Sequence, residues 1–304
     1  MYGLAHQTAC GNMLKAGLVT ASAAGAYGAA DFADWLELQQ IISQRRIRPV
    51  FQPIVSLDDG AVYGYESLSR IVDPGTIANP EQLFDNAQRF GMSVQVERLC
   101  REKALFMADE LGLDGLLFLN VCPALLLASS HQRGFTAELL DALGMERSRV
   151  VFELTEKSVI NDYGLLEKGV NHYRSQGYSI AIDDLGDGYA GLKMLSQITP
   201  DYVKLARFLV CDIDRNPVRQ ALVESITCFC KRMGIKVIAE GIETTEELAY
   251  LTGINVDFAQ GYLLARPTPQ PPSQGEFVMP SYVAVPPGED NKRLCSNLNR
   301  RRNN

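Results

Sequence analysis

The sequence predicts an α/β protein, a TIM-like (β/α)8 barrel whose first strand runs antiparallel to the second. Three observations lead there. Short apolar runs alternate with helical stretches, which argues for a parallel sheet with helices outside it. Eight such runs fall within about 230 residues, a size that suits a closed barrel. The first two runs are joined by "SLDDGA", in which Asp59-Gly60 is a hairpin signal.

In chain order the strands are expected at 48–55 (RPVFQPIV), 62–68 (VYGYESL), 116–121 (LLFLNV), 150–156 (VVFELTE), 179–184 (SIAIDD), 202–206 (YVKLA), 236–241 (KVIAEG) and 258–264 (FAQGYLL). Most are near-continuous apolar runs, as strands covered on both faces must be. Helical patterns lie between them at 81–90, 93–112, 163–176, 216–233 and 244–252. Gly91, Gly177, Gly234 and Gly253 stand where C-terminal caps belong. An open doubly wound sheet is the rival, but no G-x-G-x-x-G follows an early strand.

The chain has 304 residues, 46% of them hydrophobic, and a net charge of −7. That balance excludes a binder of nucleic-acid duplexes, whose footprint is basic. The seven cysteines, at 10, 100, 122, 211, 228, 230 and 295, are odd in number and scattered, with no C-x-x-C. They read as reduced thiols of a cytoplasmic protein. Residues 16–30 are uncharged but fall short of the roughly 20 apolar residues of a membrane span. Their small-residue composition faintly resembles a secretion signal, though it is poor in Leu and Val. The organisation expected is a leader at 1–37, a barrel domain at 38–270, and a Pro-rich, then basic, mobile tail at 271–304.

Acidic or amide residues end the strand candidates: Glu66, Asn120, Glu153, Asp183 with Asp184, and Glu240. In a barrel those ends converge on one mouth, where such enzymes do their chemistry. Any one of these residues alone reads as a solvated strand end. Six at the ends of five strands do not. Unpaired, five carboxylates would repel one another. Lys204 alone cannot neutralise them, and divalent metal can. The set is all oxygen, while His6, His131 and His172 are remote from these strand ends, so the metal expected is Mg²⁺ or Mn²⁺. Two such ions about 3.5–4 Å apart form a clamp for phosphodiester hydrolysis. Only one of two adjacent strand residues can point inward, so Asp183 and Asp184 can both serve ions only if the strand breaks into a loop near 184–186.

The residues also resemble a known family. "FQPIVSLDDGAVYGYESLSR" resembles the opening of the EAL domain, whose Glu-Ala-Leu stands here as Glu66-Ser67-Leu68. "FLNV", "FELTE", "AIDDLGDGY", "PDYVKL", "VIAEGIET" and "FAQGYLLARP" resemble its later motifs in order. The resemblance implies hydrolysis of cyclic di-GMP to linear pGpG with Mg²⁺ or Mn²⁺, two ions in all. It makes Glu66, Asn120, Glu153 and Asp183 ligands of a first ion. Asp183, Asp184 and Glu240 would serve a second. Lys204 matches the lysine that orients the attacking water, and Glu240 is also placed to accept its proton. Glu156 matches a glutamate that braces the loop after Asp184. Gln52, Leu68, Arg70 and Gln260 match residues that contact substrate or line its site. A homodimer is common in the family.

Two departures stand out. Ser67 replaces alanine beside a ligand and changes little. Ala206 replaces the aspartate of a usual Lys-x-Asp; on a strand it would share the face of Lys204 and leave the mouth one carboxylate short. This motivates a second reading, a catalytically impaired receptor for cyclic di-GMP. A third, a glycosidase using two carboxylates on a barrel, leaves Asn120, Lys204 and three acids without a task.

Overall fold

The computed structural model describes residues 28–122, 134–155, 163–188 and 191–281. The chain divides into two compact units: one runs to Arg48 and resumes over Ser69–Cys100, the other holds Pro49–Leu68 and everything from Arg101 onward.

In the first unit lie α1 (Ala29–Ser43), α2 (Pro80–Arg89) and the start of α3 (Ser93–Glu110). Helix α2 starts where the sequence dictates. The Asn79 side chain accepts a hydrogen bond from the Gln82 N–H at 2.9 Å, and Pro80 takes the first helical position, where no N–H is needed. Leu83 and Ala87, one turn apart, face inward and pack with Trp35, Leu38, Ile41 and Val96. An Arg46–Glu37 ion pair at 3.0 Å ties the middle of α1 to the segment just after it.

The second unit is a closed barrel. Its strands are β1 (Ile47–Ser56), β2 (Val62–Ile71), β3 (Leu116–Asn120), β4 (Val150–Thr155), β5 (Ser179–Leu185), β6 (Tyr202–Leu205), β7 (Lys236–Ala239) and β8 (Phe258–Ala259), adjacent in chain order. From β2 to β8 each strand runs parallel to the next. Strand β1 runs antiparallel to β8, with Val55 opposite Ala259, and therefore against β2 as well. The (β/α)8 barrel and its reversed first strand are as the sequence predicts. The helices of this unit are α4 (Phe135–Leu143), α5 (Tyr163–Ser175), α6 (Gly191–Ile198), α7 (Arg207–Val210), α8 (Pro217–Met233) and α9 (Thr245–Gly253). Helix α8 is bounded by its own sequence. Asn216 caps the N–H groups of Val218 and Arg219, and Gly234 ends it at φ 75, a conformation that glycine adopts without strain. Gly253 is instead the last helical residue of α9, and Asn255 takes the positive φ, 59°.

Two apolar layers hold the barrel. The outer one joins strand residues such as Leu117, Phe152, Ile180, Val203 and Val237 to the helices. The inner one is a plug of Ile54, Phe118, Val151, Ala181, Tyr202, Ile238 and Phe258, one residue from each strand except β2. Of the residues just past 270, expected within the tail, Pro272, Phe277 and Met279 make contacts, while Val278 is exposed. Tyr65 donates its hydroxyl hydrogen to the Pro272 carbonyl at 2.9 Å, and Phe277 and Met279 rest on the outer layer. Apolar side chains spaced among the prolines make that packing favourable. Residues 282–304, the basic part of the tail, lie outside the described residues, as do 1–27. Among the described residues, no helix is long and apolar enough to cross a membrane.

Candidate metal centre

The inner plug determines what stands above it. Side chains alternate along a strand, so the residue two beyond each plug residue also faces inward, one layer nearer the rim. Two past Phe118 is Asn120; two past Val151, Ala181 and Ile238 are Glu153, Asp183 and Glu240. Two past Tyr202 and Phe258 are Lys204 and Gln260. On β1 the count runs backwards because the strand is reversed, and two before Ile54 is Gln52. Glu66 joins this layer from β2, in register with Phe118.

Lys204 stands at the centre, with none of its surface exposed. Its ammonium lies 2.7 Å from Glu153 Oε1, 2.7 Å from Glu240 Oε1, 3.0 Å from Asp183 Oδ1 and 3.1 Å from Glu66 Oε2. One lysine therefore reaches four of the five expected acids. Asn120 donates to the other oxygen of Glu153 at 3.2 Å, and Gln260 donates to Glu66 Oε2 at 2.6 Å.

Asp184 reaches the site by a break in the strand. Pairing between β5 and β6 shifts between Ile182 and Leu185, and Asp184 has φ 56. That left-handed step, unusual for a residue with a Cβ, lets two consecutive carboxylates serve one place. Asp183, Asp184 and Glu240 each offer an oxygen within 4.8 Å of the others. The turn is closed by the Asp187 N–H donating to the Asp184 carbonyl at 3.1 Å. Gly186 follows at φ 108, where a Cβ would lie 2.6 Å from Leu209 Cδ1; only glycine fits.

Burial penalises charge on Glu153 and Glu240 and holds both carboxyls well above the usual range. Lys204 pulls them down, and Glu66 and Asp183 push them up. Burial also opposes the Lys204 charge, but the four carboxylates outweigh it and hold the ammonium well above its ordinary value. The sign for stability follows. Between the ordinary carboxyl pKa and the raised one, the folded chain holds protons that the unfolded chain has lost, so stability falls as pH rises. Without divalent cation, the melting temperature should fall from about pH 5 to about pH 8, and millimolar Mn²⁺ should flatten that fall. A metal-free melting temperature that climbs across the same interval would contradict this electrostatic picture.

The centre suits hard cations. Glu153 Oε1 and Asp183 Oδ1 are buried and meet the Lys204 ammonium, and oxygens of Asp183, Asp184 and Glu240 converge within 4.8 Å. A convergent set that is entirely oxygen matches Mg²⁺ or Mn²⁺ coordination. His172 sits on α5, exposed, against Gln176; His6 and His131 lie outside the described residues.

Of the other expected residues, Leu68 shares a face of β2 with Glu66 and is half-buried. Arg70 belongs to the first unit, where it donates to the Ser69 carbonyl at 2.9 Å. Glu156 lies outside the described residues. Ala206 is not a strand residue. Strand β6 ends at Leu205, and Ala206 is the buried N-cap of α7, making no side-chain cap. Like Glu240 beyond β7, it stands one residue past its strand, and its N–H donates to the Leu185 carbonyl at 3.1 Å. Aspartate is a strong N-cap residue, so Ala206→Asp should raise stability by about 0.5–2 kcal/mol, read by denaturant unfolding; a loss would mean that the buried site rejects the charge.

Glu247 is a residue that the sequence reading passed over. It is buried, and its oxygens accept from the N–H groups of Asp212 and Glu243 at 2.9 Å and Thr244 at 3.1 Å. It thereby fixes the loop that follows Glu240. The signal was Thr244-x-x-Glu247, a capping box, whose reciprocal bonds are both present.

The model of the EAL domain matches residues 35–267. The chain belongs to the EAL domain family. Among similar proteins of that family is cyclic di-GMP phosphodiesterase NbdA of Pseudomonas aeruginosa, 28% identical over 240 residues. The match covers 77% of this chain and 30% of that protein, so the chain spans under a third of that relative's length. The cyclic di-GMP-bound form of a standalone EAL protein from Vibrio cholerae is 29% identical, with a TM-score of 0.66, and the match covers 73% of this chain and 92% of that one. The manganese and cyclic di-GMP complex of BlrP1 from Klebsiella pneumoniae is 31% identical, with a TM-score of 0.67, over 73% of this chain and 56% of that one.

Proposed function

We propose that this EAL domain is a divalent-metal-dependent phosphodiesterase that hydrolyses cyclic di-GMP to linear pGpG. The observation that carries the reading is the ring of Glu66, Glu153, Asp183 and Glu240 around the buried Lys204, at the barrel end where strand termini converge. Glu66, Asn120, Glu153 and Asp183 would hold a first cation; Asp183, Asp184 and Glu240 would hold a second. When bound, the cations would supply positive charge to the developing phosphorane and acidify the attacking water.

The remaining roles fall to the chain itself. Lys204, fixed by four carboxylates, is suited to orient water through its ammonium hydrogens and to offset negative charge. Glu240 lies 2.7 Å from it and is placed to accept the proton of the attacking water. Leu68 gives an apolar contact for a guanine face. Seven cysteines, odd in number and scattered without a C-x-x-C, suit the reducing cytoplasm.

Incubation of the purified chain with cyclic di-GMP and Mn²⁺, followed by ion-exchange chromatography, tests the proposal. Linear pGpG should form, and EDTA should stop it. Tight binding of cyclic di-GMP without product would favour the receptor reading raised by Ala206. Turnover that persists in EDTA would exclude the metal-dependent mechanism.

A further inference from the structure

Gln260 carries a carboxamide with two N–H hydrogens and one acceptor oxygen. Both hydrogens are used within the protein. Nε2 donates to Glu66 Oε2 at 2.6 Å and to Gln52 Oε1 at 3.0 Å. Gln52 in turn donates from its own Nε2 to the Ala265 carbonyl at 3.0 Å. Gln260 and Gln52 are 3% and 7% exposed. The amide orientation is set by chemistry, because an ionised carboxylate only accepts, so nitrogen must face Glu66.

We infer that Gln260 is a positioning residue for Glu66, braced by Gln52. The inference rests on the reading of Glu66 as a metal ligand. Both Gln260 hydrogens are engaged within the protein, and its carbonyl oxygen is buried without a hydrogen-bond partner. The Glu66 oxygen that accepts from Gln260 also meets the Lys204 ammonium at 3.1 Å. Two donors on one oxygen hold the carboxylate against rotation. Groups that orient a ligand in this way tune metal affinity strongly.

The reversed first strand makes the arrangement possible. Strand β8 lifts Gln260 to the rim two residues after Phe258. Strand β1 lifts Gln52 to the same rim two residues before Ile54, because β1 runs the other way. A parallel β1 would carry Gln52 to the opposite end of the barrel. The brace then reaches the Ala265 carbonyl, beyond the end of β8. Three adjacent strands, β8, β1 and β2, are thereby tied through side chains where the barrel closes.

Calorimetric titration of the full chain with Mn²⁺, joined to steady-state kinetics on cyclic di-GMP at saturating Mn²⁺, tests this. Gln260→Met keeps the side-chain length and removes both donors. It should weaken Mn²⁺ binding about 10–100-fold and leave KM for cyclic di-GMP unchanged. Gln52→Leu, which does not touch Glu66, should shift Mn²⁺ affinity in the same direction by less, and it decides the matter on the same two readouts if Gln260→Met does not fold. Mn²⁺ affinity equal to wild type with a raised KM would make these glutamines substrate contacts and overturn the inference alone. A wild-type chain that takes up no Mn²⁺ would overturn the metal-centre reading, and this inference with it.

Discussion

Replacing Asp183 by asparagine should lower kcat for cyclic di-GMP by about 10³-fold or more, the scale of losing a preorganised charge at a reacting phosphate. Asp183 is the one residue placed in both candidate ion positions. It lies 3.0 Å from Lys204, and its oxygen also falls within 4.8 Å of those of Asp184 and Glu240. Asparagine keeps the shape and supplies a neutral oxygen, so the loss would report on charge and not on collapse of the barrel. The same substitution removes one of several crowded acids. The metal-free variant should therefore melt no lower than wild type at about pH 8, where repulsion among the carboxylates is greatest. Chromatography of pGpG and a melting scan check the two halves together. Normal turnover in Asp183→Asn would remove this residue from the metal centre.

The second large effect concerns Lys204. Lys204→Met should abolish turnover and destabilise the metal-free protein by about 3–5 kcal/mol, the cost of leaving buried charge without its partner. Four carboxylates lie within 3.1 Å of that ammonium, and no other cation replaces it among the described residues at the centre. The acids can relieve their repulsion by taking up protons, so the loss should shrink towards about pH 5.5 and grow at about pH 8. Divalent cations should restore much of the lost stability, since they supply positive charge to the same oxygens. Denaturant unfolding at the two pH values, with and without Mn²⁺, measures each part. A stability loss that is equal at both pH values and untouched by Mn²⁺ would mean that Lys204 contributes packing alone.

Much of this centre is legible in the sequence, and for one reason. Side chains alternate on a strand, and parallel strands end at one rim. Glu66, Asn120, Glu153, Asp183 and Glu240 announce themselves as polar ends of apolar runs. The hairpin signal Asp59-Gly60 likewise reveals the reversed β1. What escapes the pattern depends on tertiary geometry. No periodicity shows that Asp184 adopts φ 56 or that β5 slips its register against β6. That Ala206 is the N-cap of α7 depends on the helix that follows β6. The four-residue α7 is too short to carry a helical period. The pairing of Gln260 with Gln52 joins residues far apart in sequence and depends on the register of β1 against β8. The capping-box spacing Thr244-x-x-Glu247 is legible, but the burial of Glu247 and its bond from the Asp212 N–H are tertiary.

The central claim is that the acidic rim holds divalent cations, and anomalous scattering from crystals grown with Mn²⁺ tests it most directly. The account predicts two peaks about 3.5–4 Å apart, one ringed by oxygens of Glu66, Asn120, Glu153 and Asp183 and the other by those of Asp183, Asp184 and Glu240. Well-diffracting crystals with no anomalous density among these side chains, at millimolar Mn²⁺ and about pH 8, would contradict it.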